Sequence, residues 1–156
     1  MSQTTRRQID GILDGFAARI ELDGFALDAD GNAQLAFDDV LVHLQLDEAD
    51  DRLLMLAPLG SPGDDAAAIY RQMLDANFFW SETNGGTVAR DPATGAVVLM
   101  RGVQVTGLDA ERFEAALQGF VNAAELLGKR LATTEGQAAT ERAPAELLTG
   151  GPMIRG

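Results

Sequence analysis

The sequence contains no cysteine, which excludes disulfides, thiolate nucleophiles and thiolate-bound metals at the outset. That absence suits a reducing compartment. Histidine is nearly missing too: His43 stands alone, and one imidazole without a second nitrogen or sulfur ligand does not build a zinc or copper site. Lys and Arg number 12 against 24 Asp and Glu, for a formal net charge of −12. A surface of that sign repels nucleic-acid phosphates and anionic lipid, so neither is expected as a partner, and it steers a basic or neutral polypeptide inward. No apolar run reaches the ~20 residues a membrane helix needs. The opening stretch MSQTTRRQID does not read as a secretory signal, so the expected location is the cytoplasm.

Catalytic patterns are equally thin. His43 lies midway along an expected strand between Val42 and Leu44, a setting that favours a structural side chain over a base. Carboxylates pair at Asp38-Asp39, Asp50-Asp51 and Asp64-Asp65, but each pair falls on an expected turn, where adjacent acids are usually solvated. There is no Gly-x-Ser-x-Gly, and neither Gly85-Gly86 nor Gly150-Gly151 is followed by the Lys-Ser/Thr of a phosphate loop. Asp28-Ala29-Asp30-Gly31-Asn32 resembles a calcium loop at first sight. Aligned on its Gly, the first ligand falls on Ala26 and the bidentate acid on Phe37, so the stretch reads as a turn. The expectation is a protein that is not an enzyme and needs no cofactor or metal.

What the chain does have is apolar material in clean periods. At 156 residues, 46% of them hydrophobic, it is sized for one folded domain with a substantial core. Thr5 and Gln8 have capping-box spacing, and Ile9, Ile12, Leu13, Phe16 and Ile20 make one helical stripe interrupted by Gly11 and Gly15. Ala33, Leu35 and Phe37 alternate with Gln34 and Ala36, and Val40, Val42, Leu44 and Leu46 alternate with Leu41, His43 and Gln45. A third strand, Arg52 to Pro58, is apolar at Leu53, Leu54, Met55 and Leu56, which predicts a central strand covered on both faces. After the Gly60-Ser61-Pro62-Gly63 break, Asp64 suits the N-cap of a helix over residues 65–77. Asp109 suits the N-cap of a last helix, whose stripe runs Phe113, Leu117, Phe120, Val121, Ala124, Leu127, Leu131. The predicted order is α-β-β-β-α-β-β-α, an α+β domain over residues 1–131 with an antiparallel sheet covered by helices. Residues 132–156 lose the period and read as a flexible tail, although Leu147, Leu148, Met153 and Ile154 offer apolar contacts.

The densest signal runs from Ile69 to Val103. A helix carrying Ile69, Tyr70, Met73, Leu74 and Asn77 ends in Phe78-Phe79-Trp80. A polar Gly85-Gly86 turn follows, then Thr87 to Arg90, the turn Asp91-Pro92-Ala93-Thr94-Gly95, and a returning strand from Ala96. Leu-x-x-Asn-x-x-Trp, the Gly-rich turn, the short hairpin, and Leu-x-x-x-x-Phe opening a long helix occur in that order. So arranged, the chain from about Gly11 to Leu131 resembles the CesT (Tir chaperone) family of class I type III secretion chaperones, proteins of bacterial virulence. The resemblance implies a cytoplasmic homodimer that uses no ATP. It would bind the N-proximal segment of a secreted effector and keep it soluble and export-competent, and the export-apparatus ATPase is a further implied partner. It also implies effector contacts in grooves between the first helix and the sheet, partly by strand addition, which on this chain point to Ile12, Phe16, Leu35, Phe37, Val42 and Leu44. Its dimer interface would fall on Ile69, Tyr70, Met73, Leu74, Trp80 and Val88. A regulatory or adaptor module on the same fold, without an effector client, is the alternative.

Overall fold

The computed structural model describes residues 2–140. Helix α1 spans Ser2–Arg19 and buries Ile9, Ile12, Leu13 and Phe16, spaced so that they share one face. Its first turns differ from the expected capping box, because the helix starts three residues before Thr5. The Thr5 hydroxyl instead bonds Asp51, and Gln8 Nε2 donates to the Val105 carbonyl at 2.8 Å, so both side chains fasten the helix to the sheet. Ile20 lies beyond the helix and is exposed.

Three strands follow: β1 Asn32–Phe37, β2 Val40–Asp47 and β3 Arg52–Gly60. The turn ahead of β1 is held by Asp28, whose Oδ1 accepts from Asp30 N–H and Asn32 N–H at 2.9 Å each. Helix α2, Ala66–Asn77, is capped by Asp65, one residue later than expected, through a 3.4 Å bond from Ala68 N–H. A single 3-10 turn, Phe78–Trp80, leads through a loop to β4 Thr87–Arg90 and β5 Val97–Gln104. The five strands form one antiparallel sheet in the order β1-β2-β3-β5-β4, so β1 and β4 are its edges. Gly86 ends the loop because no other residue fits: a Cβ there would sit 2.9 Å from the Met100 carbonyl oxygen.

The long helix α3 spans Ala110–Thr140 and lies with α1 across one face of the sheet. Phe113, Phe120, Leu127 and Leu131 are fully buried there against Leu44, Leu53, Met55 and Leu99. Burial of such side chains contributes about 1.5–3 kcal/mol each, which makes this layer the main source of stability. The helix passes the expected boundary at Leu131. Residues 132–140 are helical, and the buried Thr134 hydroxyl lies 3.0 Å from Gln72 Oε1 of α2, so the main body does not end where the periodicity fades. The expected tail residues 141–156 lie outside the described residues.

Strand β3 corrects a second expectation. It is central, but its burial alternates strictly: Leu53, Met55, Ala57 and Leu59 are buried under the helices, while Leu54, Leu56 and Pro58 are half-buried on a face that no helix among the described residues covers. Among the described residues the sheet is therefore covered once.

Candidate partner-binding surfaces

The expected groove between α1 and the sheet is filled by the protein itself. Phe16 is 2% exposed and packs edge-on against Phe113 at a centroid distance of 5.1 Å and against Phe25 at 6.2 Å. Ile12, Leu35, Val42 and Leu44 are buried in the same core, and Phe37 is half-buried against it. Gly15 lets α1 approach α3 closely, since a Cβ there would come 3.2 Å from Ala110 Cβ. Of the six residues expected at an effector groove, five thus hold the fold. The alternation along the strands was read correctly as one face, but that face is the one α1 and α3 occupy.

The opposite face carries Gln34, His43, Leu54, Leu56 and Met100 around a concavity of about 930 Å³. Gln34 on β1 and His43 on β2 are register partners, with Gln34 Nε2 3.1 Å from His43 Nδ1. His43 is half-buried there with an amide and no acid as its bonded neighbour. Among the described residues no group of three or more His, Cys, Asp or Glu is placed to hold a metal ion. Also among them, no helix is long and apolar enough to cross a membrane.

The two edges of the sheet differ in their backbone hydrogen bonds. On β1, the Gly31 carbonyl accepts from Leu46 N–H, so the alternate residues Ala33, Leu35 and Phe37 turn their backbone groups toward β2. Asn32, Gln34 and Ala36 turn theirs outward. Asn32 is taken by Asp28, its N–H bonding Asp28 Oδ1 and its carbonyl accepting from Asp28 N–H at 2.8 Å. Gln34 and Ala36 are exposed, and their outward N–H and C=O groups have no partner among the described residues. On β4, Asp91 N–H bonds the Ala96 carbonyl at 2.8 Å, which places Asp91, Ala89 and Thr87 inward and Arg90, Val88 and Gly86 outward. Gly86 N–H bonds the Thr83 carbonyl at 3.0 Å. Val88 is held on both sides by one side chain: its N–H donates to Asn77 Oδ1 at 2.8 Å, and Asn77 Nδ2 donates to its carbonyl at 3.2 Å.

The residues expected at a dimer interface divide in two. Ile69, Met73 and Val88 are buried within the protomer, whereas Leu74 is 69% and Trp80 59% exposed, with Tyr70 half-buried between. Tyr70, Met73, Leu74, Val88 and Val97 line an apolar groove of about 270 Å³ between α2 and the β4–β5 hairpin. Beside it Phe78 and Phe79 stand 70% and 79% exposed, ring against ring at 4.6 Å. Phe79 and Trp80 both adopt positive φ, 52° and 53°, a left-handed geometry that costs a bulky residue about 1–2 kcal/mol each. A strained, solvent-facing aromatic trio is an interaction surface in form. Its clustering was visible in the sequence; the roles of Asn77 and of the β1 edge were not.

Charges frame these surfaces without forming a site of their own. The Arg52 guanidinium beside Asp47, at 2.9 Å, holds that carboxyl below its ordinary pKa. The Ala93 N–H does the same for Asp91 in the hairpin turn. Arg19 and Glu114 join the ends of α1 and α3 at 2.6 Å in a largely exposed pair of small energetic value.

The chain belongs to the Tir chaperone protein (CesT) family, whose model matches residues 11–127. It is 33% identical over 119 residues to the transcriptional anti-antiactivator ExsC of Pseudomonas aeruginosa, a match covering 76% of this chain and 81% of ExsC. A Chlamydia pneumoniae protein is 36% identical over 77 residues, covering 48% of this chain and 58% of that protein. Among solved structures, a chain of the ExsC–ExsE complex matches with a TM-score of 0.70 and 32% identity, covering 81% of this chain and 95% of that one. A chain of the HopA1–SchA chaperone–effector complex matches at TM-score 0.67 and 16% identity, over 81% and 97%, a likeness of fold alone.

Proposed function

We propose that this protein is a type III secretion chaperone. It binds an extended, N-proximal segment of a secreted effector and keeps that client soluble and export-competent without ATP and without covalent chemistry. The observation that carries the reading is the open β1 edge, where Gln34 and Ala36 offer two N–H and two C=O groups to an added strand beside the apolar outer face. The family membership supports it, and so does the likeness to a chain solved in the ExsC–ExsE complex. An added strand gains backbone pairing and apolar burial and loses conformational freedom. Coupled ordering of this kind typically buries about 1,000–3,000 Å² and gives up about 2–5 kcal/mol, which keeps the client releasable.

The same reading includes a cytoplasmic homodimer built on Tyr70, Leu74, Trp80 and the groove beside them, with Phe78 and Phe79 at its rim. A helix face with Leu74 at 69% exposure is covered economically by its own symmetry mate.

Purification of the tagged chain from its native bacterium, under conditions that induce secretion, tests the function. The expected companion is a secreted protein bound through its N-proximal segment. Ala36→Pro removes an outward N–H from an edge strand that tolerates proline, and should weaken the purified complex about two- to tenfold. Capture of no secreted protein, with no binding of any N-proximal segment, would overturn the reading. A regulatory role is the second reading, favoured by the relative ExsC, a transcriptional anti-antiactivator. Its signature is a companion that stays in the cell and whose removal changes transcription.

A further inference from the structure

An antiparallel sheet with two edges can in principle take an extended chain on either side, and here the two edges are not equivalent. β4 is four residues long, and its outward backbone groups fall at Gly86, Val88 and Arg90. Gly86 N–H is used by the loop, and both groups of Val88, the middle position, are taken by the Asn77 amide. An amide side chain supplies one acceptor and one donor at about the spacing a neighbouring strand would present. Asn77 therefore occupies the place that the first residue of an added strand would take. Arg90 is left, and one residue does not seat a strand.

We propose that Asn77 is a specificity-determining residue: it seals the β4 edge against strand addition, so that an extended polypeptide is accepted at β1 alone. The last residue of α2 is the right place for such a seal. The helix end is fixed by the buried Ile69, Met73 and Ala76, which leaves the amide little freedom to swing away from β4. Without it, β4 would present open backbone beside an apolar groove, the arrangement that leads sheets to pair edge to edge. The inference goes beyond client binding, and its test needs no client.

Asn77→Ala leaves the Val88 N–H and C=O without the side chain. In dilute protein, the Val88 amide should exchange with deuterium about fivefold faster, the ratio one ordinary hydrogen bond is worth. As concentration rises, the variant should assemble beyond the wild-type oligomer in light scattering. Arg90→Pro, added to Asn77→Ala, takes away the next outward N–H and should return the oligomer to the wild-type size. Asn77→Ser keeps a polar side chain that is too short to span both groups, and repeats the test should alanine unfold the chain. Wild-type assembly at every concentration would overturn the proposal, as would oligomers indifferent to Arg90→Pro. Unfolding of both variants, by circular dichroism, would assign Asn77 a purely structural role and overturn it equally.

Discussion

Phe16 separates the two accounts of the first helix most sharply. As the wall of a client groove, its loss would weaken binding and leave the fold intact. The structure places the ring at 2% exposure between Phe113 and Phe25, in a layer that also contains Ile12 and Leu13. Removing a buried phenyl ring costs about 3–5 kcal/mol, the sum of lost transfer and a cavity that the neighbours fill only in part. Two edge-to-face contacts go with it, and each such contact is worth about 0.5–1.5 kcal/mol beyond area. The upper half of that range, about 4–5 kcal/mol, is therefore expected for Phe16→Ala. For a domain of this size it corresponds to a fall in melting temperature of roughly 10–20 °C. Urea unfolding followed by far-ultraviolet circular dichroism gives the free energy, and calorimetry the midpoint. A loss below about 1 kcal/mol with unchanged spectra would refute the packing argument, because no buried ring of this size is removed that cheaply. Weakened client binding by that stable variant would restore the groove.

Two further outcomes follow from the same reasoning. Leu74→Glu should leave the protomer folded, since the residue is 69% exposed, and should turn the oligomer into a monomer by light scattering because a symmetric interface would bury the charge twice; a wild-type protein that is already monomeric at micromolar concentration would remove the dimer. Ending the chain after Leu131 deletes Thr134 and its contact with Gln72, so the melting temperature should drop by a few degrees, as expected for about 1 kcal/mol, and an unchanged midpoint would show that helix α3 adds nothing past Leu131.

The element order was legible because each segment keeps its own period: 3.6 in the stripe from Phe113 to Leu131, two in Val40 to Leu46. Strand β3 was legible in position but not in environment. Four apolar residues in a row at Leu53–Leu56 look the same whether both faces meet helices or one face awaits a partner. Which face the helices take is a non-local fact, set by where α1 and α3 cross the sheet, so the alternation of Val42 and Leu44 does not by itself say whether their face meets helices or a client. Thr5 and Gln8 show the same limit: their spacing fits a cap, and their partners, Asp51 and Val105, are distant in the chain. Asn77 was seen as one member of a helical face. Its work depends on Val88, eleven residues on, being returned beside it by the loop.

One helix can account for both proposed interactions. Leu74 and Asn77 are three residues apart on α2 and therefore near neighbours on its surface, so the residue offered to a second copy and the residue sealing β4 are held by the same turn. A protomer whose β4 edge stood open would have two ways to associate there, helix face to helix face or strand to strand, and the second, where β4 pairs with the free β1 of another copy, runs on from copy to copy. Closing the edge with a side chain of the interface helix leaves the helix-face contact as the closed solution. β1 lies at the other end of the sheet, across β2, β3 and β5. A dimer formed through α2 then leaves both β1 edges free, one on each protomer. The arrangement would provide two equivalent tracks for an extended client, neither in competition with the contact that holds the dimer.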